Sequence, residues 1–179
     1  MPRKKPFRIG RARTGLGLFA TKEIPKWAFI VEYKGRRVSN EEAERLEGRG
    51  NRYLYEINSR WTIDGTTRRN LGRYANHSCR PNAESARSKG KVILRAIKKI
   101  RPGDEITYDY GRDYYLNVIT PRGCKCDKCR QKRNAARRAR EDAKAKLVSI
   151  RSRRAARQNG KARARSAPIE SGGFSARQE

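Results

Sequence analysis

The four cysteines place the strongest constraint on how this chain can fold. Cys124, Cys126 and Cys129 lie together in the sequence GCKCDKC, whereas Cys79 lies 45 residues before the first of them. Four thiolates are the number that a closed tetrahedral zinc site needs, and a C-x-C-x-x-C loop can supply three of them. A zinc ion shared by all four would hold the segment around Cys79 against the end of the folded region.

The sequence leaves two other states of these cysteines open, a pair of disulfides or thiols that bind nothing. The opening sequence MPRKKPFRIG lacks the apolar stretch of a secretory signal, and no apolar run reaches the roughly 18 residues of a membrane-spanning helix. We therefore expect a soluble, intracellular protein with no membrane partner. Because disulfides are rare in reducing compartments, Zn²⁺ held by the four cysteines is the favoured prediction.

The net charge identifies a class of partner. Lys and Arg number 46 and Asp and Glu number 18, which gives a formal charge of +28. A surface with this charge attracts polyanions, so nucleic acid is the expected partner. The alternative is that the charge only keeps an ordinary enzyme soluble.

The composition changes near residue 131. Residues 131–179 carry 15 basic and 4 acidic side chains, with no aromatic residue before Phe174. Such a segment cannot bury enough apolar surface to fold alone, although its alanines and arginines favour a helix on a polyanion over part of 131–157. We expect a basic tail, disordered or partly helical, after one domain of ordinary size. A solvated tail with no binding role is the alternative.

The first 130 residues contain mainly strand and turn signals. Residues rich in β-branched and aromatic side chains predict five short strands, at 28–35, 52–58, 61–65, 91–97 and 105–110. Ser39 and Glu42 form the pattern of a capping box and predict one helix, which Gly48 is placed to end. The sequence RPGDE predicts a tight turn before the last strand. The expected fold class is mainly β with few short helices, an α+β fold.

Several motifs share their order and approximate spacing with a known family. They are GLGLFA (15–20), EYKG (32–35), YLYEI (53–57), RYANHSCRPN (73–82) and GDEITYDYG (103–111), followed by the cysteine motif. Over about residues 5–130 the chain resembles the SET-domain protein-lysine N-methyltransferases, of the small single-domain type with a post-SET cysteine motif. The pairing of NHSC with DEITYDY carries most of this resemblance, because GLG alone is not specific.

The resemblance implies a domain organisation and a fold. It implies a SET domain at 1–116 and a post-SET zinc loop at 117–130, before the basic tail at 131–179. The fold would consist of small sheets, with a pseudoknot-like threading of Asn76 and His77 beside the last strand.

The resemblance also implies S-adenosyl-L-methionine as the cofactor. The glycine motif would bring its backbone close to the methionine part, Asn76 would bond the amino-acid end through its side chain, and His77 would contact the adenine through main-chain groups. The implied cofactor-binding residues are Gly15, Leu16, Gly17, Tyr53, Asn76 and His77. His77 is then a positioning residue and not a catalytic base, unless it only fills space in the fold.

The chemistry of lysine methylation directs attention to tyrosines. A lysine amine attacks a methyl group only when neutral, and its deprotonation at pH 7 costs about 4 to 5 kcal/mol. Desolvation and a nearby cation lower this cost, and hydroxyl groups can align the amine. The resemblance makes Tyr110 the catalytic tyrosine and Tyr33 a second tyrosine of the methyl-transfer pore, although a tyrosine packed in a core is the commoner case. Tyr108 would limit the product to mono- or dimethyl-lysine.

Three features depart from the family pattern. An aromatic residue often stands between the two glycines, where this chain has Leu16. Two residues separate the last two cysteines, where four are usual, which bears on the geometry of the zinc site. Tyr114 and Tyr115 both follow the last strand, and the sequence does not say which of them closes over the site.

The expected function is SAM-dependent protein-lysine N-methylation of a histone or a histone-like DNA-associated protein. Enzyme and substrate are both basic and repel each other at long range, but a shared nucleic acid would hold both. The alternatives are a non-enzymatic DNA-binding architectural protein with a SET-like core and a zinc-stapled RNA-binding protein. The expected location is the nucleus and chromatin in a eukaryote, or the cytoplasm, the nucleoid or a host cell for a bacterial protein.

Overall fold

The computed structural model of the chain describes residues 5–88 and 91–165, with side chains described up to residue 155. The chain divides into two compact units, Met1–Gln131 and Lys132–Glu179. The last part of the predicted tail, 166–179, lies outside the described residues.

Ten described strands build the first unit. They are β1 Phe7–Ala12, β2 Gly15–Ala20, β3 Phe29–Tyr33, β4 Arg36–Ser39, β5 Leu54–Glu56, β6 Trp61–Asp64, β7 Asn76–His77, β8 Ala83–Ser88, β9 Lys91–Ala96 and β10 Glu105–Tyr108. They form three small sheets, with the strand orders β1-β2-β10-β7, β3-β9-β8 and β4-β6-β5. All pairs are antiparallel except β7 with β10.

The parallel pair brings two distant motifs together. Asn76 lies opposite Thr107 and His77 lies opposite Tyr108. The NHSC segment therefore runs beside the last strand, as the resemblance implied. The predicted fold class is confirmed, since small sheets dominate the first unit and its helices are short.

Local sequence signals explain the elements around the sheets. Helix α1, Asn40–Gly48, begins after Ser39, whose hydroxyl oxygen accepts a hydrogen bond from the Glu42 backbone N–H at 3.2 Å. The Glu42 carboxylate contacts Arg36 at 2.7 Å. The predicted turn before β10 is present, and Gly103 adopts a φ of +87° there, which glycine tolerates best.

Each of the five predicted strands contains an observed strand, β3, β5, β6, β9 and β10. The sequence did not predict the other five strands, β1, β2, β4, β7 and β8. β4 and β7 have only four and two residues, and β1, β2 and β8 contain glycine, arginine or serine, which are weak strand signals. A 3-10 turn, Leu71–Tyr74, leads into β7, and α2, Arg112–Tyr114, continues as a π-helix over Tyr115–Ile119 and a 3-10 turn over Thr120–Arg122.

Two apolar clusters hold the sheets together. The larger joins the first two sheets around Leu18, Leu94 and Ile106, all 0% exposed. Each such side chain contributes roughly 1.5 to 3 kcal/mol by its burial. The smaller cluster joins the second and third sheets through Tyr33, Ile63 and Val92, so the buried end of β3 places Tyr33 between these two sheets.

Helix α3, Asp127–Arg165, continues from the cysteine motif into the second unit. Every described side chain from 132 to 155 is exposed. Alanine, arginine and lysine have high helix propensity, which supports a helix without an apolar face. Within the described residues, no helix is both long and apolar enough to span a membrane.

Candidate active site

An open cavity of about 1460 Å³ in the first unit contains most of the predicted site residues. Its lining includes seven of the eight tyrosines: Tyr33, Tyr53, Tyr55, Tyr74, Tyr108, Tyr110 and Tyr114. Gly15, Leu16, Asn76 and His77 line the same cavity, and so do Cys124 and Cys126. The fold therefore brings the predicted catalytic residues and all the predicted cofactor residues except the buried Gly17 to one cavity.

Tyr110 and Tyr33 are fixed in similar ways. The Tyr110 hydroxyl donates a hydrogen bond to the Ala75 carbonyl at 2.8 Å, and the Tyr33 hydroxyl donates one to the Tyr53 carbonyl at 3.0 Å. In each case the phenolic hydrogen is committed to the backbone. The oxygen lone pairs remain available to accept a hydrogen bond from a ligand.

Burial keeps these hydroxyls protonated. Burial raises the pKa of Tyr33 above its usual range, and the positive charge of Arg73 opposes this only in part. Burial, together with the neighbouring Tyr114, raises the pKa of Tyr110 in the same way, and burial raises that of Tyr108. At neutral pH the three side chains are therefore hydrogen-bonding groups and not phenolate bases.

The tyrosines contact one another through their rings. The Tyr108 and Tyr110 ring centroids are 4.8 Å apart, and those of Tyr110 and Tyr114 are 5.2 Å apart. Tyr108 is 7% exposed. Of the two tyrosines that the sequence could not separate, Tyr114 packs on Tyr110, whereas Tyr115 packs on His77 with a centroid distance of 5.4 Å.

Asn70 supports Tyr33 from a fully buried position. Its side-chain oxygen accepts a hydrogen bond from the Lys34 N–H at 3.0 Å, and its amide donates one to the Gly65 carbonyl at 3.1 Å. A Cβ atom on Gly65 would lie 2.6 Å from the Tyr33 hydroxyl and 2.5 Å from the Asn70 amide. Residues 65 and 70 thus form a close-fitting wall around Tyr33.

Arg73 places a positive charge in this wall. Its guanidinium lies 3.7 Å from the centre of the Tyr53 ring, and it also donates to the Thr66 carbonyl. Tyr53, which the resemblance assigned to the cofactor, is therefore also engaged by Arg73 and Tyr33. A cation near the Tyr33 hydroxyl disfavours a second cation beside it.

Asn76 connects the glycine motif to the last strand. Its amide donates to the Leu16 carbonyl at 3.0 Å and to the Glu105 carboxylate at 2.8 Å. Gly17 is buried at this junction, and a Cβ atom there would lie 2.8 Å from Glu105. With its amide hydrogens committed, Asn76 has its side-chain oxygen left to accept from a ligand.

The His77 side chain is occupied within the protein. Its Nδ1 accepts a hydrogen bond from the Tyr110 N–H at 3.3 Å, and its Nε2 lies 3.3 Å from the Cys79 sulfur. Burial lowers the pKa of His77, which favours the neutral ring. If Nδ1 accepts from the Tyr110 N–H, the ring hydrogen lies on Nε2 and is directed at the sulfur. This arrangement suits a positioning residue that joins the cavity to the cysteines.

The four cysteines come together in three dimensions. Their sulfur atoms all lie within 4.8 Å of one another. The Cys79 sulfur is 3.8 Å from that of Cys124 and 3.6 Å from that of Cys129, too far for the roughly 2.05 Å bond of a disulfide. A tetrahedron with metal–sulfur bonds of about 2.3 Å has sulfur separations of about 3.8 Å. The four sulfurs could therefore hold a tetrahedral metal ion despite the short spacing of Cys126 and Cys129.

The thiols differ in acidity. Burial and the neighbouring thiols raise the pKa of Cys79. Burial acts in the same direction on Cys126, but hydrogen bonds from the Cys129 and Cys79 backbone outweigh it and lower its pKa to about 7. Cys126 is thus partly deprotonated near neutral pH, and metal binding requires the thiolate form.

Sequence reasoning missed Asn70, Gly65, Arg73 and Glu105. Arg73 belongs to the quoted RYANHSCRPN motif and Glu105 to GDEITYDYG, so both lay in motifs already considered significant. Asn70 carried a weaker signal, as a polar residue just before this motif.

Comparison with known proteins agrees with this geometry. The SET domain family model matches residues 15–111. A Chaetomium globosum protein named histone-lysine N-methyltransferase, H3 lysine-4 specific, is 34% identical over 135 residues, which is 69% of this chain and 12% of that protein. Human histone-lysine N-methyltransferase 2D is 38% identical over 117 residues, 59% of this chain and 2% of that protein. The chain thus spans a small part of the length of these curated relatives.

Two solved structures show the same architecture. One is ctPRC2 in an autoinhibited conformation bound to S-adenosylmethionine, with a TM-score of 0.55 and 27% identity over 61% of this chain and 15% of that chain. The other is a humanized mutant of the Chaetomium thermophilum Polycomb Repressive Complex 2 bound to the inhibitor GSK126, with a TM-score of 0.55 and 29% identity over the same shares. The family match covers more than half of the chain and includes six of the seven tyrosines that line the cavity, and the chain therefore belongs to the SET-domain family.

Proposed function

We propose that this protein is an S-adenosyl-L-methionine-dependent protein-lysine N-methyltransferase. The observation that carries the proposal is the pair Tyr33 and Tyr110, whose hydroxyls are each held by a backbone carbonyl at the edge of one cavity. The relatives named as histone-lysine N-methyltransferases and the neighbour bound to S-adenosylmethionine support it.

The cavity can prepare a lysine amine for methylation. Its tyrosine rings take the ammonium group out of water, which favours the neutral amine. The positive charge of Arg73 beside Tyr53 acts in the same direction. The lone pairs of Tyr33 and Tyr110 can then accept the amine hydrogens and orient its lone pair, and such alignment contributes several kcal/mol.

The cofactor residues form the other side of the cavity. When bound, S-adenosyl-L-methionine supplies a methyl group on a cationic sulfur. The exposed backbone of Gly15 and Leu16 can approach this molecule closely, while Gly17 gives room to the Asn76–Glu105 contact behind it. The Asn76 side-chain oxygen can accept from an ammonium group, and His77 would contribute main-chain contacts. Tyr53 would contribute its ring edge.

The product is proposed to be mono- or dimethyl-lysine. Tyr108 is buried against Tyr110, so its hydroxyl takes up space beside the amine. A water molecule held there would further restrict rotation of a methylated amine.

We also propose that Cys79, Cys124, Cys126 and Cys129 bind one Zn²⁺. The tetrahedral sulfur spacing and the low pKa of Cys126 support this assignment. The ion would hold the 117–130 loop against the NHSC segment. The Nε2–H of His77 would donate a hydrogen bond to the Cys79 sulfur, and hydrogen bonds of this kind orient the ligands of metal sites.

The proposed substrate is a lysine of a histone or a histone-like DNA-associated protein. The names of the relatives and the charge of +28 support this class, because nucleic acid can bind enzyme and basic substrate together. The basic tail, 131–179, is proposed to bind that nucleic acid. In a eukaryotic cell the protein would then act in the nucleus on chromatin.

The test is incubation of the purified protein with radiolabelled S-adenosyl-L-methionine and mixed nuclear or nucleoid proteins. Label on lysine of a small basic protein is expected, and it should disappear in Tyr110→Phe. Tyr74→Phe is the comparison variant, because it removes the same atom from another tyrosine of the cavity lining, one that packs against the core and has no proposed role in the transfer. A binding protein without enzymatic activity would transfer no label in any variant.

A further inference from the structure

One face of α3 carries an ordered row of positive charge. Starting at Arg133, basic residues recur at intervals of three, four or seven positions, the spacing that keeps side chains on one side of a helix. We name these residues the basic stripe: Arg133, Arg137, Arg140, Lys144, Arg151 and Arg154. At about 1.5 Å per residue the stripe is about 32 Å long, and its members fall within a sector of about 100°.

The remaining charges of this helix segment are arranged differently. Lys132, Arg138, Lys146 and Arg153 are scattered over the other side, which also carries Asp142. Glu141 lies beside the stripe and pairs with Arg137 at 3.7 Å. Between Arg133 and Arg154, the sector of the helix that holds the stripe contains no acidic residue.

We propose that the basic stripe binds the phosphate backbone of duplex DNA. The stripe proposal rests on the proposed nucleic-acid binding of the tail and specifies the residues and the ligand. It does not depend on the proposed methyl transfer. Duplex DNA carries about one negative charge per 1.7 Å of its axis, so a row of six exposed cations has phosphates within reach along its whole length. Bound phosphates would also reduce the repulsion between the stripe's own cations, which lie three and four residues apart on the helix. Arginine suits this role because its guanidinium can bond a phosphate through two N–H groups.

A coiled coil of two copies does not fit this face. The stripe follows the alternating three- and four-residue spacing at which a coiled coil requires apolar residues. Between Arg133 and Arg154 only Leu147 is apolar at these positions. Two copies would bring cations against cations.

A membrane surface does not fit either. A helix that lies on a membrane needs a continuous apolar face opposite its charges. The large apolar side chains in the described part of the second unit are Leu147, Val148 and Ile150, which are 59%, 58% and 49% exposed and cluster within about one turn of the helix.

The test uses the full chain and a fluorescent DNA duplex of about 30 base pairs and mixed sequence, with affinity measured from about 50 to 200 mM salt. The stripe variant is Arg140→Gln, Lys144→Gln and Arg151→Gln. The matched control is Arg138→Gln, Lys146→Gln and Arg153→Gln, which removes the same three charges from positions two residues away. Circular dichroism checks that both keep their helix, and the singles Arg140→Gln and Arg138→Gln repeat the comparison if a triple variant does not fold.

Loss of three phosphate contacts should reduce the slope of log affinity against log salt by about 2.7 in the stripe variant. Between about 50 and 200 mM salt, the factor by which affinity falls should be about 40 times smaller for the stripe variant than for the unaltered protein. The control variant should keep the original slope. Equal slopes for the two variants would overturn the proposal. So would stripe-dependent binding to phosphatidylserine vesicles without duplex binding, or stripe-dependent self-association in sedimentation. The DNA-binding measurement contains no cofactor or protein substrate, so its result does not depend on whether the protein transfers methyl groups.

Discussion

The Tyr110 hydroxyl donates a 2.8 Å hydrogen bond to the carbonyl of Ala75, the residue immediately before the NHSC motif. The Tyr110 N–H donates to the His77 ring on the other side of Asn76. Tyr110 is thus fixed at both its backbone and its hydroxyl by the segment that is proposed to bind the cofactor. A small shift of this segment would move the hydroxyl relative to the reacting methyl group.

Tyr110→Phe should abolish most methyl transfer while the protein remains folded. We expect kcat to fall by about 100-fold or more, because the amine loses an aligning acceptor. The free energy of unfolding should fall by only about 1 to 3 kcal/mol, the cost of the unpaired Ala75 carbonyl. Single-turnover kinetics and urea denaturation measure the two effects. Full turnover in a folded variant would remove Tyr110 from the catalytic role.

Tyr108→Phe should raise the degree of methylation. The substitution removes a hydroxyl from a side chain that is 7% exposed and packed on Tyr110, so a methylated amine gains room to turn. Mass spectrometry of a peptide product should show more di- and trimethyl-lysine. If the ratio of products is unchanged, Tyr108 does not limit the size of the amine site.

The purified protein should contain one zinc ion per chain. Metal binding by thiolates is coupled to folding, so a chelator should lower the melting temperature of the unaltered protein. Cys126→Ser should bind less zinc, melt lower and respond little to the chelator. Elemental analysis of active protein with far less than one metal per chain would contradict the assignment.

Asn70→Ala should reduce both stability and turnover. It leaves the Lys34 N–H and the Gly65 carbonyl without their partner, at a cost of about 2 to 4 kcal/mol. Because these contacts border Tyr33, kcat should fall more than substrate binding does. In the Tyr33→Phe background the same substitution should still destabilise the fold but change kcat little. An equal loss of kcat in both backgrounds would show that Asn70 does not act through Tyr33.

Alkaline pH should destabilise the protein through its buried tyrosines. Burial raises the pKa values of Tyr33, Tyr108 and Tyr110 above the ordinary value of 10.0, so above that pH the folded protein holds protons that the unfolded chain releases. Stability is therefore unaffected by these groups below about pH 10 and falls as pH rises further. Phenolate absorbance should show that these three ionise together with unfolding. Full ionisation before any loss of circular dichroism would contradict their burial.

The sequence predicted the parts of the fold that carry local signals. β3, β9 and β10 alternate or cluster β-branched and aromatic residues, and α1 begins at a capping serine. β7 has two residues and no propensity signal, since it is a strand only because β10 lies beside it. β2 is rich in glycine, and its pairing with β1 and β10 outweighs the low strand propensity of glycine.

The candidate site was predictable only where a motif named its residues. The tyrosines, Asn76, His77 and the cysteines were found in this way, and the structure places them around one cavity and one sulfur cluster. The role of Asn70 depends on Gly65 and Lys34, which become neighbours only through the fold. The basic tail and its tendency to form a helix over part of 131–157 were predicted from composition, but its charged face depends on a continuous helix, and composition does not predict that continuity.

The contact between Cys79 and Cys124 joins residues 45 positions apart and encloses β8, β9 and β10, the strand that leads to Tyr110. A bond through a shared metal would act on the unfolded chain as a cross-link does, by reducing the number of conformations open to the enclosed loop. For a loop of this length that restriction corresponds to roughly 4 kcal/mol. The cluster would therefore act chiefly by limiting the disorder of the unfolded chain, and the strand of the candidate site lies inside the loop that it closes.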